Sequence, residues 1–459
     1  MSLLINGKAC ASLHFVGIVG SGMSAVAYYC RGEHIAVTGS DRLAQSVDVA
    51  ETRKKLEISG CIFSPQDGSG VSRATDAVVV STAIEETNPD IVEARKRGIP
   101  VVHRSDVLAA LAAAKRTIAI AGTSGKSTVA AMLFEMLTLC GKSPSLVTGA
   151  NLIFLEAQGL LGNAFHGKSD LMVIEADESD GSLVKYQPDA SVFLNLSKDH
   201  KPVEEIAGLF EVLAARSKCV IVNADDPALG MLSATMTFGL GPGAQYRPDR
   251  IDATAPFVVF HRGGVRFELP APGRHNLSNA LAALCAANFL GCDDTHCAAA
   301  MSGFKGVKRR FSSVRLASGI TVIDDFAHNP EKIKAAVTTA KSLCGRVLAI
   351  FQPHGFGPTR FLKDDFVQAF SEVLGEKDVL YLLPIYYAGG TALKDISSGE
   401  IASLVTMRAR RAFAPGDRAE CLAMVKAQAA PGDAVLLMGA RDPSLPSFAR
   451  QIAEELGSL

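Results

Sequence analysis

The segment IAIAGTSGKSTVAAMLFEMLTLCG constrains this chain more than any other. An apolar strand at 117–121 runs into Gly122, Thr123, Ser124, Gly125, Lys126, Ser127 and Thr128. A helix follows in which Val129, Leu133, Met136, Leu137 and Cys140 fall on one face before Gly141 stops it. Glycines let backbone N–H groups wrap round a phosphate at the positive end of a helix. A lysine there reaches the terminal phosphates, and the next hydroxyl can ligate Mg²⁺. Ile120 stands where the full GxxxxGK[ST] pattern has its first glycine, so the flanking strand and helix carry the reading of a nucleotide site.

Around this segment β and α patterns alternate almost throughout, the mark of parallel sheets covered by helices on both faces, so the fold class is α/β. Strand-like runs at 13–19, 35–39, 76–83 and 99–103 form a Rossmann-like first domain that ends in the Ala-rich helix at 105–114. The phosphate-loop segment opens a central P-loop ATPase-type sheet. After MSGFKGVKRRF a third series, also Rossmann-like, begins with GITVIDDFA at 319–327 and continues through 346–353, 378–384 and 433–440. The expected domains are 1–114, 115–312 and 313–459, which suits 459 residues at about 150 per domain.

The 46 Lys and Arg nearly cancel the 47 Asp and Glu, so no global field gathers nucleic acid or a membrane surface, and anions must be bound by local design. No apolar run approaches the roughly 18 residues of a membrane span, and no signal peptide is read, which makes the cytoplasm the expected location. Ten cysteines lie scattered without a CxxC, and neither disulfides nor zinc are expected. Cys292, His296 and Cys297 are close in sequence, which is read as chance proximity.

Other strand ends carry candidate groups. LMVIEADESDGS at 171–182 presents Glu175, Asp177, Glu178 and Asp180, and SVFLNLSKDHK at 191–201 presents Asp199 and His200. Ligands in open α/β sheets sit beyond the carboxyl ends of strands, where a carboxylate and an imidazole could hold Mg²⁺ or simply be solvated. Asn276 and Asn279 in HNLSNALAAL can hydrogen-bond a base or cap a helix. Asp325 can meet a ribose hydroxyl or close a turn, and His354 and Arg360 can meet an anion or stay at the surface. Near the start, GIVGSGMSAV places Gly17, Gly20 and Gly22 after the first strand, with Asp41 ending the second strand 24 residues after Gly17. That pattern suits a nucleotide diphosphate at a helix N-terminus, or tight helix–strand packing.

Taken in order, HFVGIVGSGMS, VTGSD, VVVSTAI, HRSDVLAAL, AGTSGKST, IEADESD, NLSKDH, VNADDP, HNLSNALAAL, RRF, DDFAHNP and QPH resemble the Mur ligase family over essentially the whole chain. The resemblance implies an ATP-dependent amide-bond ligase of peptidoglycan synthesis, working through an acyl phosphate. It implies a UDP-sugar-binding first domain, a central ATPase and a third domain that receives an amino acid, L-alanine in the branch most resembled. A relative that adds a peptide or uses a different carboxylate, a non-catalytic nucleotide-binding scaffold and, more weakly, an NAD-dependent oxidoreductase are the competing readings.

Residue by residue, the resemblance implies Lys126, His200 and Arg310 as catalytic groups, with Arg310 reached on domain closure. Gly122 to Thr128, Asn276, Asn279, Arg310 and Asp325 would bind ATP, and Ser127, Glu175 and His200 would hold Mg²⁺. Gly17, Gly20, Ser21, Gly22, Met23, Ser40, Asp41 and Ser81 would bind the UDP-sugar, and His354 and Arg360 the amino acid. Small-molecule substrates, no nucleic acid, no membrane, and a monomer or homodimer complete the expectation. The stretch QPHGFGPTR has Gly355, Phe356 and Pro358 where the family is usually rich in Arg and Tyr.

Overall fold

The computed structural model describes residues 2–198, 201–387 and 393–457. The chain divides into two compact units. The first comprises Met1–Asp252, Val259–Pro270 and Leu277–Val307, and the second Ala253–Val258, Ala271–Asn276 and Lys308–Leu459. Among the described residues no helix is long and apolar enough to cross a membrane.

The first unit carries two principal sheets. One has five parallel strands in the order Ile62–Ser64, Ala36–Ser40, Ser12–Val16, Ala77–Val80, Val101–His103. The order reverses direction at Ser12–Val16, so a crevice opens beyond the carboxyl ends of that strand and its neighbour. The other sheet has seven strands in the order Ala164–Phe165, Ser145–Val147, Leu171–Glu175, Arg116–Ala121, Ala190–Phe193, Cys219–Asn223, Met236–Phe238, all parallel except the first pair. The second unit has six strands, Ser312–Arg315, Thr321–Asp325, Asp433–Gly439, Arg346–Gln352, Val379–Leu382, Arg411–Phe413, again parallel after one antiparallel edge pair. These are the α/β sheets that the alternating pattern predicts.

The apolar runs explain the arrangement. Ile118 to Ala121, Met172 to Ile174 and Ala190 to Phe193 are fully buried, as strands covered on both faces must be. The helix Lys126–Leu139 departs from expectation. Every residue from Val129 to Leu137 is buried, not one stripe. The helix lies on the strands Arg116–Ala121 and Leu171–Glu175 and is covered in turn by the helix Asp294–Ser302, so it needs an apolar surface all round.

The two sheets of the first unit are stitched together by polar contacts. Asn163 Nδ2 donates to the Ser21 carbonyl at 2.6 Å, and the Tyr29 hydroxyl is 3.1 Å from Ser145 Oγ. Glu33 accepts from Lys115 at 3.1 Å and lies 3.0 Å from His166 Nε2. Gly32 allows this approach, since a Cβ there would lie 2.6 Å from the His166 ring. Arg104 Nη2 donates to Asp180 at 3.2 Å, and Lys185 Nζ to Asp106 at 2.6 Å.

Against the five-stranded sheet, in the first turn of the helix Pro89–Lys96, the fully buried Asp90 carboxylate accepts from Ser40 Oγ and from Gly68 N at 2.8 Å. His14 Nε2 lies 3.4 Å from the same group, and His14 Nδ1 is 2.8 Å from Thr38 Oγ1. Burial pushes the Asp90 carboxyl up, but His14, Ser40 and Gly68 more than reverse this and hold it below its usual range. A depressed carboxyl contributes stability above its unfolded pKa, and that contribution disappears as pH falls through the folded value. Asp90→Ala should therefore cost about 3–5 kcal/mol in urea unfolding at pH 7. The gap from wild type should narrow below about pH 4. An equal gap at pH 7 and pH 3 would refute the electrostatic account.

Candidate functional site

The strand Arg116–Ala121 lies between Leu171–Glu175 and Ala190–Phe193, so the loops leaving three parallel strands adjoin at one edge. Gly122 and Gly125 have φ of +145° and +86°, conformations that side chains oppose. Space opposes them too. A Cβ at Gly122 would lie 2.9 Å from Leu194 Cβ, and one at Gly125 would lie 2.5 Å from Asn279 Oδ1. Asn279 thus borders the phosphate loop.

Asn195 fixes the loop's shape. Its carbonyl accepts from Thr123 N at 3.2 Å and its Oδ1 from Ser124 N at 2.8 Å, while its Nδ2 donates to the Ser124 carbonyl at 3.1 Å. Thr123 Oγ1 donates to Asn195 Oδ1 at 2.9 Å and accepts from Ser197 N at 3.2 Å. Sequence reasoning drew Asp199 and His200 from this segment and passed over Asn195. Its signal was an amide two residues beyond the strand end Phe193. Asp199 and His200 lie outside the described residues, so the expectation for His200 stays there.

Lys126 opens the helix with its ammonium turned back into the loop. Nζ donates to the Gly122 carbonyl at 2.7 Å and to Glu178 Oε2 at 2.5 Å, with Asp177 Oδ1 at 3.9 Å. Burial works against the charge, but Glu178, then Asp177 and Glu175, outweigh it and hold the lysine above its ordinary pKa. Glu178 is therefore a buried partner rather than a solvated acid, a role the sequence did not disclose.

On the neighbouring strand, Thr148 Oγ1 donates to Glu175 Oε1, and Gly149 leaves Glu175 Oε2 room, a Cβ there standing 3.3 Å away. Ser127 is buried in the first helical turn and Thr128 is half-buried. The hydroxyl of Ser127 and the carboxylate of Glu175 are oxygen donors of the kind that a hard cation such as Mg²⁺ takes.

At the five-stranded sheet, Gly17, at φ +78°, and Gly20 form the turn into the helix Ser21–Gly32, which has no side-chain cap. Its first-turn N–H groups, those of Ser21, Gly22 and Met23, suit an anion. The side chains of Met23 and Ser40 are buried, and the Ser40 hydroxyl is engaged with Asp90. Asp41 accepts from Val19 N at 3.1 Å and Leu43 N at 2.8 Å, shaping this turn, and Ser81 begins a turn whose Ile84 faces Gly17. Arg104, not anticipated, fills the space beside Gly22, where a Cβ would lie 2.7 Å from its Nη1.

In the second unit, Asp325 accepts from Phe311 N and Ala327 N, each at 2.7 Å, which holds Arg310 beside it in the same loop. The Arg310 guanidinium lies 5.0 Å from the Phe326 ring centre. Asn276 is buried inside the helix Arg274–Phe289, and its Nδ2 donates to the Pro272 carbonyl at 2.7 Å. His354 bridges to Tyr386 and faces His328, and Arg360 donates to the Leu393 carbonyl at 3.1 Å and to Asp395.

Three family models match the chain in order. They are described as the Mur ligase family catalytic domain at residues 12–116, the Mur ligase middle domain at 120–287 and the Mur ligase glutamate ligase domain at 309–441. A UDP-N-acetylmuramate--L-alanine ligase of Pelotomaculum thermopropionicum is 37% identical over 450 residues, covering 94% of this chain and 95% of the relative. One from Agrobacterium fabrum is 34% identical, covering 98% of each. Among solved structures, the UDP-N-acetylmuramate-alanine ligase of Thermotoga maritima has a TM-score of 0.78 at 27% identity, covering 97% of this chain and 99% of that one. A murein peptide ligase of Psychrobacter arcticus shares the fold, with a TM-score of 0.69 at 22% identity, covering 98% and 99%.

The Lys126–Glu178 pair separates binding from folding. Lys126→Met should leave Glu178 buried and unpaired, lowering stability by about 3–5 kcal/mol, and adding Glu178→Gln should recover most of that. Nucleotide affinity measured by calorimetry should stay lost in both variants. Recovery of affinity in the double variant would show that Lys126 does not hold phosphate.

Proposed function

The chain belongs to the Mur ligase family, and from that premise we infer that it is an ATP-dependent ligase joining L-alanine to UDP-N-acetylmuramate in peptidoglycan synthesis. The observation that carries the reading is the phosphate loop, with Lys126 in place among Gly122, Asp177 and Glu178. Relatives that match nearly end to end and are named for this reaction supply the substrates. The likeness to a peptide-adding ligase is at 22% identity and bears on the fold alone.

A carboxylate is a poor acyl donor. Its oxygen attacks the γ-phosphorus of ATP, the bond to ADP breaks, and an acyl phosphate results. The amine of the amino acid then attacks the acyl carbon, its nitrogen gives up a proton, and the tetrahedral intermediate collapses with cleavage of the C–O bond to give amide and phosphate. Negative charge gathers on the transferring group, and Lys126, already charged and aimed into the loop, offsets it without rearrangement. Backbone N–H groups of the loop and the helix start hold the remaining phosphate oxygens. Ser127 and Glu175, with His200, would hold Mg²⁺, which when bound supplies further neutralisation of phosphate charge.

Asn279, beside the loop, is assigned to adenine with Asn276, Asp325 to ribose, and Arg310 to phosphate. The turn at Gly17, Gly20, Ser21, Gly22 and Met23, with Asp41 and Ser81, is assigned to the UDP-sugar, and His354 and Arg360 to the amino acid. Residues 1–114, 115–312 and 313–459 would then serve UDP-sugar, ATP and amino acid in turn. Its substrates are small molecules, and we place it in the cytoplasm as a monomer or homodimer.

ADP release should require UDP-N-acetylmuramate together with an amino acid, with L-alanine the best of the set. Lys126→Ala should lower kcat by about 100-fold or more. ADP release that no amino acid stimulates would sink the proposal.

A further inference from the structure

Glu175 ends its strand as a carboxylate offered to Mg²⁺, and its neighbours determine which way that carboxylate points. The strands Ser145–Val147 and Leu171–Glu175 run parallel, with Ser145 beside Met172, Leu146 beside Val173 and Val147 beside Ile174. The same register carried one residue further sets Thr148 beside Glu175, where the Thr148 hydroxyl donates to Glu175 Oε1. Glu175 Oε2 lies by Gly149, with 3.3 Å between it and the place a Cβ would take. One oxygen is therefore held by a hydroxyl, and the other adjoins a residue without a side chain.

The residue that does the holding is itself fixed. Thr148 is 3% exposed, whereas Glu175 is half-buried. The Thr148 N–H donates to the Asn163 carbonyl at 3.0 Å, next to the antiparallel pair of Val147 with Ala164. Asn163 is anchored in turn, its Nδ2 donating to the Ser21 carbonyl at 2.6 Å and to Ser24 Oγ at 3.2 Å. A β-branched side chain on a backbone pinned in this way has little freedom at χ1, so its hydroxyl stays in one place. Glu175 is long and flexible, and the Lys126 ammonium lies within its electrostatic reach. A carboxylate released from Thr148 is free to turn toward that ammonium and away from a cation.

We propose that Thr148 is a positioning residue for the cation: by holding Oε1 of Glu175 it presents Oε2 to Mg²⁺. This rests on the reading of the phosphate loop as a nucleotide site, and adds to that reading the residue that orients a metal ligand. A ligand oriented before the cation arrives has no side-chain freedom left to lose on binding. Residues that hold a metal ligand from behind are worth about 10- to 100-fold in metal affinity. Thr148 acts here through Glu175 alone, without itself meeting metal or nucleotide.

The test titrates Mn²⁺ into the full chain with ADP held below the protein concentration, and follows free Mn²⁺ by electron paramagnetic resonance. Thr148→Val, which keeps the shape and removes the donor, should weaken Mn²⁺ binding by about tenfold or more. Thr148→Ala should do the same, so the result does not hang on one variant folding. ADP affinity without metal should be unchanged in both, and Thr148→Ser, which keeps the donor, should bind Mn²⁺ within about threefold of wild type. In a Glu175→Gln background Thr148→Val should cost nothing further, because the group it acts through is gone. Wild-type Mn²⁺ affinity in Thr148→Val or Thr148→Ala, a loss in Thr148→Ser as large as theirs, or the same loss with and without Glu175 would overturn the proposal and leave the nucleotide site standing. Failure of the wild type to bind Mn²⁺ with ADP would overturn the reading of the site and this inference together.

Discussion

A central strand of a parallel sheet has neighbours on both sides, so the loop that leaves it is confined between two others. The phosphate site proposed for the first unit depends on that confinement at Ala121. The phosphate loop cannot open outward, because Leu194 and Asn279 stand against Gly122 and Gly125, and Asn195 ties Thr123 and Ser124 on the other side. Bare glycine at both tight points is what lets the backbone turn in the space available. The polar groups of the loop are thereby oriented before any ligand arrives, which is the condition under which electrostatic stabilisation needs no reorganisation.

The buried ammonium of Lys126 is the second half of that arrangement. An unpaired charge in this position would be expensive, and Glu178 with the Gly122 carbonyl offsets the cost. A phosphate that takes the place of Glu178 exchanges one anion for another, so the lysine passes from one partner to the next without ever being stripped of countercharge. The local charge balance matches the near-neutral composition of the whole chain, in which anions are met by placed groups rather than by a basic surface.

What the sequence disclosed was what depends on local patterning. Strand, glycine loop, lysine and helix follow one another within about 25 residues, and each has its own signal. The alternation of elements likewise showed the α/β class, because buried parallel strands are apolar on both faces. What stayed hidden depends on residues far apart in the chain. Glu178 looked like one acid among several until the fold set it on Lys126, 52 positions away. Asn195 and Arg104 gave no pattern because a clamp and a space-filling guanidinium are defined by what they touch. The helix Lys126–Leu139 misled in the other direction: its periodic stripe was real, but so was the apolar character of its remaining faces.

The boundary near residue 114 is a change of pattern along the chain, yet Asn163, Ser145, His166 and Asp180 of the second sheet hold Ser21, Tyr29, Glu33 and Arg104 of the first. A segment cut at that point would carry away a tyrosine hydroxyl and a glutamate whose partners had stayed behind, and would bare the surface of Gly32 that His166 covers. The first domain is therefore not a detachable module. Recombining it with the remainder of a relative would require the stitching residues to travel with it.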